Sequence, residues 1–348
     1  MPLSLSAFWA QLAQEPALLV TVLLTLAVLL VNGWTDAPNA IAGAVVTEAL
    51  PFRRAVLLAA VCNFLGVLCV TSVNASVAET IYSIASFSGG SRAALAALCA
   101  AMASVVLWAV LAWRFGIPTS ESHALVAGVS GAAVALEGGF SCLRGDSCFQ
   151  VVLGLLMSSL AGFWAGRAAI CHLSTVKFSY HTMLAAQKPC AACTAFLHGA
   201  QDGQKFLGIF LLGTALAQGM EDVPDNPRIP LWLMVLCAGG MALGTMMGGR
   251  RIINTVGREM VSLDVREGLA ADLGNIACLL GATALGLPVS TTHTRTSALL
   301  GVGSAGGGRV NRRVAGAVLL AWVITFPACG AAGYGMAKMF LAILSPLS

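Results

Sequence analysis

Long apolar runs alternate with short polar joints along the whole chain. About ten of these runs approach the ~20 residues that span a bilayer core as a helix. They lie near residues 17–49, 53–74, 94–113, 117–136 and 150–171, then near 196–219, 229–248, 268–286, 288–305 and 314–341. The first run is too long for one straight span and is interrupted by NGWTDAPN, which predicts a helix broken around Gly33 to Pro38. A second anomaly is GLPVSTTHTRTS, from Gly286 to Ser297. It sets a proline, six hydroxyls, a histidine and an arginine between two segments that otherwise suit lipid.

Composition fixes the solvent. Of 348 residues, 58% are hydrophobic and 10% charged, with mean hydropathy +0.85. Soluble domains carry about a quarter charged residues, so the pattern is that of a multi-pass, all-α membrane protein with no sizeable soluble domain. The net charge of +4 resides in the joints and gives no reason to expect a nucleic-acid partner. The first run has no Lys or Arg before it and no A-x-A-like site after it, so it is expected to remain as a membrane helix. Basic residues cluster in alternate joints: Arg53 and Arg54, Arg167 to Lys188, Arg250 to Arg258, and Arg309 to Arg313. The joints between them are neutral or acidic. The positive-inside rule places the basic joints in the cytoplasm and the N-terminus outside, in a cell's inner (plasma) membrane.

The anomalous stretch has a twin. GIPTSESHALVAGVSGA from Gly116 matches GLPVSTTHTRTSALLGVGSA from Gly286: Pro118 answers Pro288, Ser120 answers Ser290, Ser122 answers Thr292, His123 answers His293 and Gly131 answers Gly301. NGWTDAPNAI from Asn32 likewise matches HGAQDGQKFL from His198, with Asp36 answering Asp202 and Asn39 answering Lys205. The offsets, 166 and 170 residues, mark a duplication of about half the chain. The expected organisation is a first membrane repeat over 1–172, a cytoplasmic connecting loop over 173–195 and a second repeat over 196–348. Five segments per repeat, an odd number, require the second copy to enter from the other side. The fold predicted is therefore an inverted repeat with broken helices and helical hairpins at the midplane, the architecture of many secondary transporters.

Within each twin, the glycine permits a bend, the proline cannot continue the preceding helix and the serine suits an N-cap. The next residues open a helix whose first-turn N–H groups lack intrahelical partners. Together with the hydroxyls of Ser120, Ser122, Ser290, Thr291 and Thr292 they form an anion cradle. Such donors are costly in lipid and should face a cavity or ligand. Small hydroxyl residues also glue membrane helices together, but duplication with a helix break in each copy argues for function. Asp36 and Asp202 are intramembrane carboxylates and functional candidates on that ground, although Asp202 could pair with Lys205 three residues along the same face.

These segments, GIPTSESHALVAG, HGAQDGQKFLGIFLLG and GLPVSTTH, resemble the signature segments of the PiT family of inorganic phosphate transporters, particularly its shorter bacterial members, over about residues 20–340. The resemblance implies import of inorganic phosphate by cation symport, with Asp36, Asn39 and Asp202 and the Ser120, Ser122, Ser290, Thr291 and Thr292 hydroxyls at the site. Two departures matter. Lys205 stands where many members have Asn, and Glu121 where many have Thr. Lys205 can contact phosphate but occupies the place of a sodium ion, and Glu121 adds a titratable carboxylate. Asp36, Glu121 and Asp202 are the coupling candidates, with H+ at least as credible as Na+. Ionised, the three acids and Lys205 give about −2 before phosphate enters, which a low dielectric tolerates only if cations or protons accompany it. A P–OH donor on phosphate suits carboxylates better than sulfate, which leaves a sulfate permease of the same fold as the runner-up. His123 and His293 either contact substrate or donate to a nearby carbonyl.

An intramembrane hydrolase is disfavoured because the hydroxyl clusters and aspartates occur twice, whereas an enzyme needs one nucleophile. An anion channel would suit rings of basic residues better than three acids. No cofactor beyond the coupling ion is expected, and a homodimer is compatible with the sequence. Of the eleven cysteines, Cys190 and Cys193 with His172 and His181 resemble a zinc set only superficially, since no second pair matches. Cys142 and Cys148 flank SCLRGDSC and could form a disulfide on the external side. Topology mapping is expected to find the Gly138 to Gln150 joint outside the cell. A cytoplasmic location would overturn the inverted repeat.

Overall fold

The computed structural model describes residues 4–223, 227–261, 263–305 and 310–344. Fourteen helices appear among them, and β pairing is limited to isolated bridges such as Ala85 with Leu143 and Val261 with Val310. The first half contains α1 (Leu5–Gln14), α2 (Pro16–Thr35), α3 (Ala37–Val46), α4 (Phe52–Val73), α5 (Ser76–Tyr82), α6 (Ser91–Arg114), α7 (Glu121–Glu137) and α8 (Gly145–Thr175). The second contains α9 (Tyr180–Ala217), α10 (Leu231–Met247), α11 (Arg250–Asn254) followed by a π-helical turn (Thr255–Met260), α12 (Val265–Ala284), α13 (Thr291–Ala305) and α14 (Arg312–Leu344). Five helical spans are long and apolar enough to cross a membrane, or six if the bent pair of α10 with the segment after it is one span. Helices α7 and α13, of 17 and 15 residues, are too short for that set, and α9 and α12 fall outside it because polar and charged residues dilute their apolar character.

The duplication is visible in the packing. Helix α7 of the first half lies against α14 of the second, and α13 of the second against α8 of the first. The other partners exchange in the same way: α6 with α14 and α12 with α8, α2 with α10 and α4 with α9. The twin glycines make the reciprocal contact possible. A β-carbon on Gly131 would overlap the Gly330 carbonyl oxygen of α14, and one on Gly301 would overlap the Phe163 carbonyl oxygen of α8. Small residues at such crossings let backbones approach closely, which is how membrane helices gain packing energy without a hydrophobic drive.

Both twin breaks end in the same way. Gly116 (φ 69°) and Gly286 (φ 66°) take the left-handed conformation, and the N–H groups of Ile117 and Leu287 reach back to the carbonyls of Ala112 and Ala282, each at 3.0 Å. This is a Schellman ending, which suits glycine because it has no Cβ. The extended Pro-x-Ser segments then lead to Ser120 and Ser290, whose hydroxyls accept from the N–H groups of His123 (3.3 Å) and His293 (3.1 Å).

The joints gather by charge. At one end of the bundle, Gln187 bonds Thr47 and the Val265 carbonyl, Val261 pairs with Val310, and Arg251 donates to the Arg114 carbonyl at 3.2 Å. At the other end, Ala85 pairs with Leu143 and Arg144 forms an ion pair with Asp222. Among the described residues, the basic joints at Arg53 and Arg54, at Lys188, at Arg250 and Arg251, and at Arg312 and Arg313 flank the first end.

Three expectations are corrected. The connection expected as a loop over 173–195 is a short joint, because α8 runs to Thr175 and α9 begins at Tyr180. Cys190 and Cys193 therefore lie on a helix. The broken-helix character differs between copies. In the first, Pro38 interrupts the ladder just after Asp36, yet Pro16–Val46 still counts as a single 31-residue span. In the second, α9 passes through Asp202 unbroken because no proline follows it. Finally, Cys142 and Cys148 are free thiols, their sulfurs lying near the carbonyls of Gly139 and Ile84.

Gly131→Ala and Gly301→Ala are each expected to lower the stability of the purified protein by about 1–3 kcal/mol through overpacking. Gly281→Ala, where a β-carbon meets nothing within 4 Å, should be neutral or stabilising. Thermal unfolding in detergent reads all three.

Candidate functional site

Each aspartate is presented by the first long helix of its repeat, and each accepts from a first-turn hydroxyl of α13. Thr292 Oγ1 donates to Asp36 Oδ1 at 2.6 Å, and Thr291 Oγ1 donates to Asp202 Oδ2 at 3.1 Å. Thr291 and Thr292 are adjacent at the start of α13, so one helix terminus serves the aspartates of both repeats. The start of α7 meets Asp36 directly and Asp202 through Lys205. Glu121 and Asp36 lie within hydrogen-bonding reach of each other, and Ser122 Oγ accepts from Lys205 Nζ at 2.6 Å. Lys205 Nζ also donates to Asp202 Oδ1 and to the Val289 carbonyl, both at 2.6 Å, so all three of its protons are used. Asn39 Nδ2 reaches Thr292 Oγ1 at 3.4 Å.

Every one of these side chains is buried: Asp36 is 3% exposed, Glu121 2%, Asp202 1% and Lys205 1%. Two carboxyls in contact, Asp36 and Glu121, cannot both hold a full charge in such surroundings without a shared proton or a cation. The pairing of Asp202 with Lys205 raised by their spacing is present, but it leaves the other two acids without a cation of their own. Asp36, His198 and Asp202 further offer ligand atoms within 4.8 Å of one another, a grouping able to hold a cation.

Residues singled out in the sequence therefore separate into two sets. Asp36, Asn39, Glu121, Ser122, Asp202, Lys205, Thr291 and Thr292 form one connected cluster. Ser120 and Ser290 serve as N-caps at its edge. His123 and His293 instead pack against each other, ring centroids 4.2 Å apart and edge to face, and His293 stacks on Trp322 at 3.6 Å. They join the two hairpins behind the cluster.

Sequence reasoning missed three members. Asn32 Nδ2 bridges Asp36 Oδ2 (3.4 Å) and Asp202 Oδ2 (3.2 Å); Thr35 Oγ1 donates to Glu121 Oε1 at 2.7 Å; and His198 Nε2 lies 3.3 Å from Asp202 Oδ2. The signal was available, since Asn32 and His198 each precede an aspartate by four residues, one helical turn.

A duplicated helical bundle with a buried, pseudo-symmetric cluster of carboxylates and hydroxyls is a polytopic membrane protein of the transporter class. The Phosphate transporter family model matches it twice, over residues 32–188 and 180–333. The chain belongs to that family. It is 36% identical over 323 residues to a "probable low-affinity inorganic phosphate transporter" of Bacillus subtilis, covering 89% of this chain and 94% of that protein. A protein of the same description from Rhizobium meliloti is 35% identical over 305 residues, covering 85% and 88%. Among solved structures, one described as "the sodium-dependent phosphate transporter" shares the fold with TM-score 0.82 at 21% identity, covering 95% of this chain and all of that one.

Asp36→Asn and Asp202→Asn are each expected to abolish phosphate uptake without impairing membrane insertion, because each removes charge where both repeats meet. Uptake by membrane vesicles, with insertion checked by fractionation, tests this. Normal uptake by either variant would remove that aspartate from the site.

Proposed function

We infer that the protein imports inorganic phosphate across the cytoplasmic membrane by cation symport, with its site alternately open to either side. The observation that carries this reading is the imbalance of the buried cluster. Three carboxyls, Asp36, Glu121 and Asp202, are drawn together from both repeats, and Lys205 is the ammonium group among them. Thr291, Thr292 and Lys205 point donors into the cluster that phosphate oxygens can take over. When phosphate does so, the carboxylates lose those donors and repel the anion unless each is protonated or paired with a cation. Co-binding of positive charge is thus a condition of phosphate binding. Carboxylates also accept from the P–OH of hydrogen phosphate, which favours it over sulfate.

Proton coupling is the version we favour. Lys205 fills the second repeat's position corresponding to Asn39 and uses all its donors on protein groups, and Glu121 meets Asp36 as a carboxyl pair able to share a proton. Sodium coupling is a second reading, supported by the convergence of Asp36, His198 and Asp202. The inverted insertion of the repeats belongs to the same proposal: basic joints at one end of the bundle support a cytoplasmic face there.

The experiment is phosphate uptake into proteoliposomes with pH and sodium gradients imposed separately. Uptake is expected to follow the pH gradient and to depend little on sodium. Lys205→Asn should weaken phosphate binding several-fold or more, since a hydrogen bond to a charged group contributes about 1.5–3 kcal/mol. Glu121→Gln, which keeps shape but cannot titrate, should flatten the pH dependence. A sodium requirement at every pH, with the Glu121→Gln profile unchanged, would replace proton by sodium coupling.

A further inference from the structure

Around the central carboxylates the two aspartates and the two serine caps match between the repeats, but on one flank a buried ion pair stands where the other repeat has hydrocarbon. A small cavity beside Asp36 is bounded by Asn39, Thr194, His198, Asn275, Thr291 and Arg295. Arg295 on α13 and Asp272 on α12 are each 1% exposed and form an ion pair, Nη1 to Oδ1, at 2.5 Å. Apart from that contact with Asp272 the guanidinium has no hydrogen-bond partner, and the amide of Asn275 and the hydroxyl of Thr194 beside it have none. Buried donors of this strength are nearly always satisfied in native proteins, and a group of them turned toward one cavity needs an acceptor.

The first repeat shows that the fold does not need this polarity. At the offset of 170 residues, Asp272, Asn275 and Arg295 correspond to Met102, Val105 and Leu125, and at the offset of 166 Thr194 corresponds to Val28. All four counterparts are 0% exposed and belong to the main apolar core. Hydrocarbon therefore serves the packing at these positions. Replacing well-packed hydrocarbon by a buried ion pair is at best neutral for stability and commonly costs it, so a structural role alone does not account for the exchange. A guanidinium, by contrast, presents a rigid fork of N–H groups suited to a tetrahedral oxyanion.

Position supplies the direction. Arg295 lies one helical turn beyond Thr291 along α13, on the side leading to the end of the bundle where the basic joints gather. It packs over Gly43 of α3, where a β-carbon would come within 3.0 Å of Arg295 Nη2 and 3.2 Å of Asp272 Oδ2. An anion leaving the Thr291 and Thr292 hydroxyls toward the basic end meets Arg295 next.

We propose that Arg295, with Asn275 and Thr194, is a second oxyanion site, a station for inorganic phosphate between the central cluster and the basic end, and that Asp272 holds the guanidinium in place between passages. This rests on the reading of the central cluster as a phosphate site. The guanidinium exchanges one anionic partner, Asp272, for another, the phosphate, so its positive charge is not left unpaired in the bundle.

The full-length protein tests it with two readouts, equilibrium binding of radiolabelled inorganic phosphate in detergent and uptake in proteoliposomes. The variant carrying both Asp272→Asn and Arg295→Gln removes the two charges together, so neither is stranded. It is expected to bind phosphate within about three-fold of the unmodified protein while uptake falls about ten-fold or more, the loss of one charge-assisted contact. Arg295→Lys, which keeps the ion pair but lacks the fork, should also slow uptake, and the exchange of the two charges, Asp272→Arg with Arg295→Asp, should not restore it. Uptake at the original rate in the doubly neutral or charge-exchanged protein would reduce the pair to a structural one and overturn the proposal. Loss of binding together with uptake in a stably folded variant would overturn it too, by placing Arg295 in the central site. If the doubly neutral protein does not fold, Arg295→Lys decides, and unimpaired uptake refutes the second site. Failure of the unmodified protein to bind phosphate would instead refute the function proposed above.

Discussion

Charge kept out of water organises this protein. Asp36, Glu121 and Asp202 sit in a bundle whose surroundings are almost entirely hydrocarbon, where an isolated carboxylate is far more costly than in solution. Their company follows from that cost. Lys205 spends all three protons within the cluster, Thr291, Thr292 and Thr35 turn their hydroxyls toward carboxyl oxygens, and Asn32 bridges the two aspartates. An arrangement that satisfies acids by lending them donors can release those donors to another anion only if something positive replaces them. The cation coupling proposed above is the functional form of that constraint.

The scaffold delivers the donors by exchange between halves. Because α7 packs on α14 and α13 on α8, each hairpin is held by a helix of the other repeat; the first turn of α13 reaches both aspartates, and that of α7 reaches Asp36 and Lys205. Glycine at the crossings permits the approach, and left-handed glycine at the hairpin tips ends one helix so that a serine can cap the next. His123 and His293 tie the hairpins together behind the site, stacked against Trp322.

Duplication gives the site its symmetry, and divergence gives it direction. A strictly symmetric cluster would treat both membrane faces alike. Here Lys205 answers Asn39, Glu121 answers Thr291, and the ion pair of Asp272 with Arg295 answers Met102 and Leu125. The last difference puts an ion pair on the flank nearer the basic end and hydrocarbon on the corresponding opposite flank, a physical basis for unequal steps on the two sides.

Much of this was legible in the chain because two strong codes coincide. Apolar length announces membrane helices, and the repetition of GIPTSESH as GLPVSTTH and of NGWTDAPN as HGAQDGQK marks both the duplication and the groups that carry the chemistry. Local features followed as the backbone rules require: the glycine turns, the serine caps and the interruption before Pro38. What the sequence could not settle depends on groups far apart in the chain. That Thr292 serves Asp36 rather than its own repeat's aspartate, that Lys205 closes on Ser122 and Val289, and that the histidines face each other instead of the acids are decided by the exchanged packing of the halves. Arg295 is the sharpest case. As one basic residue in a polar stretch it carries no partner in its neighbourhood of the sequence, and only the folding of α13 against α12 brings Asp272 to it, because a buried charge selects its partner through space.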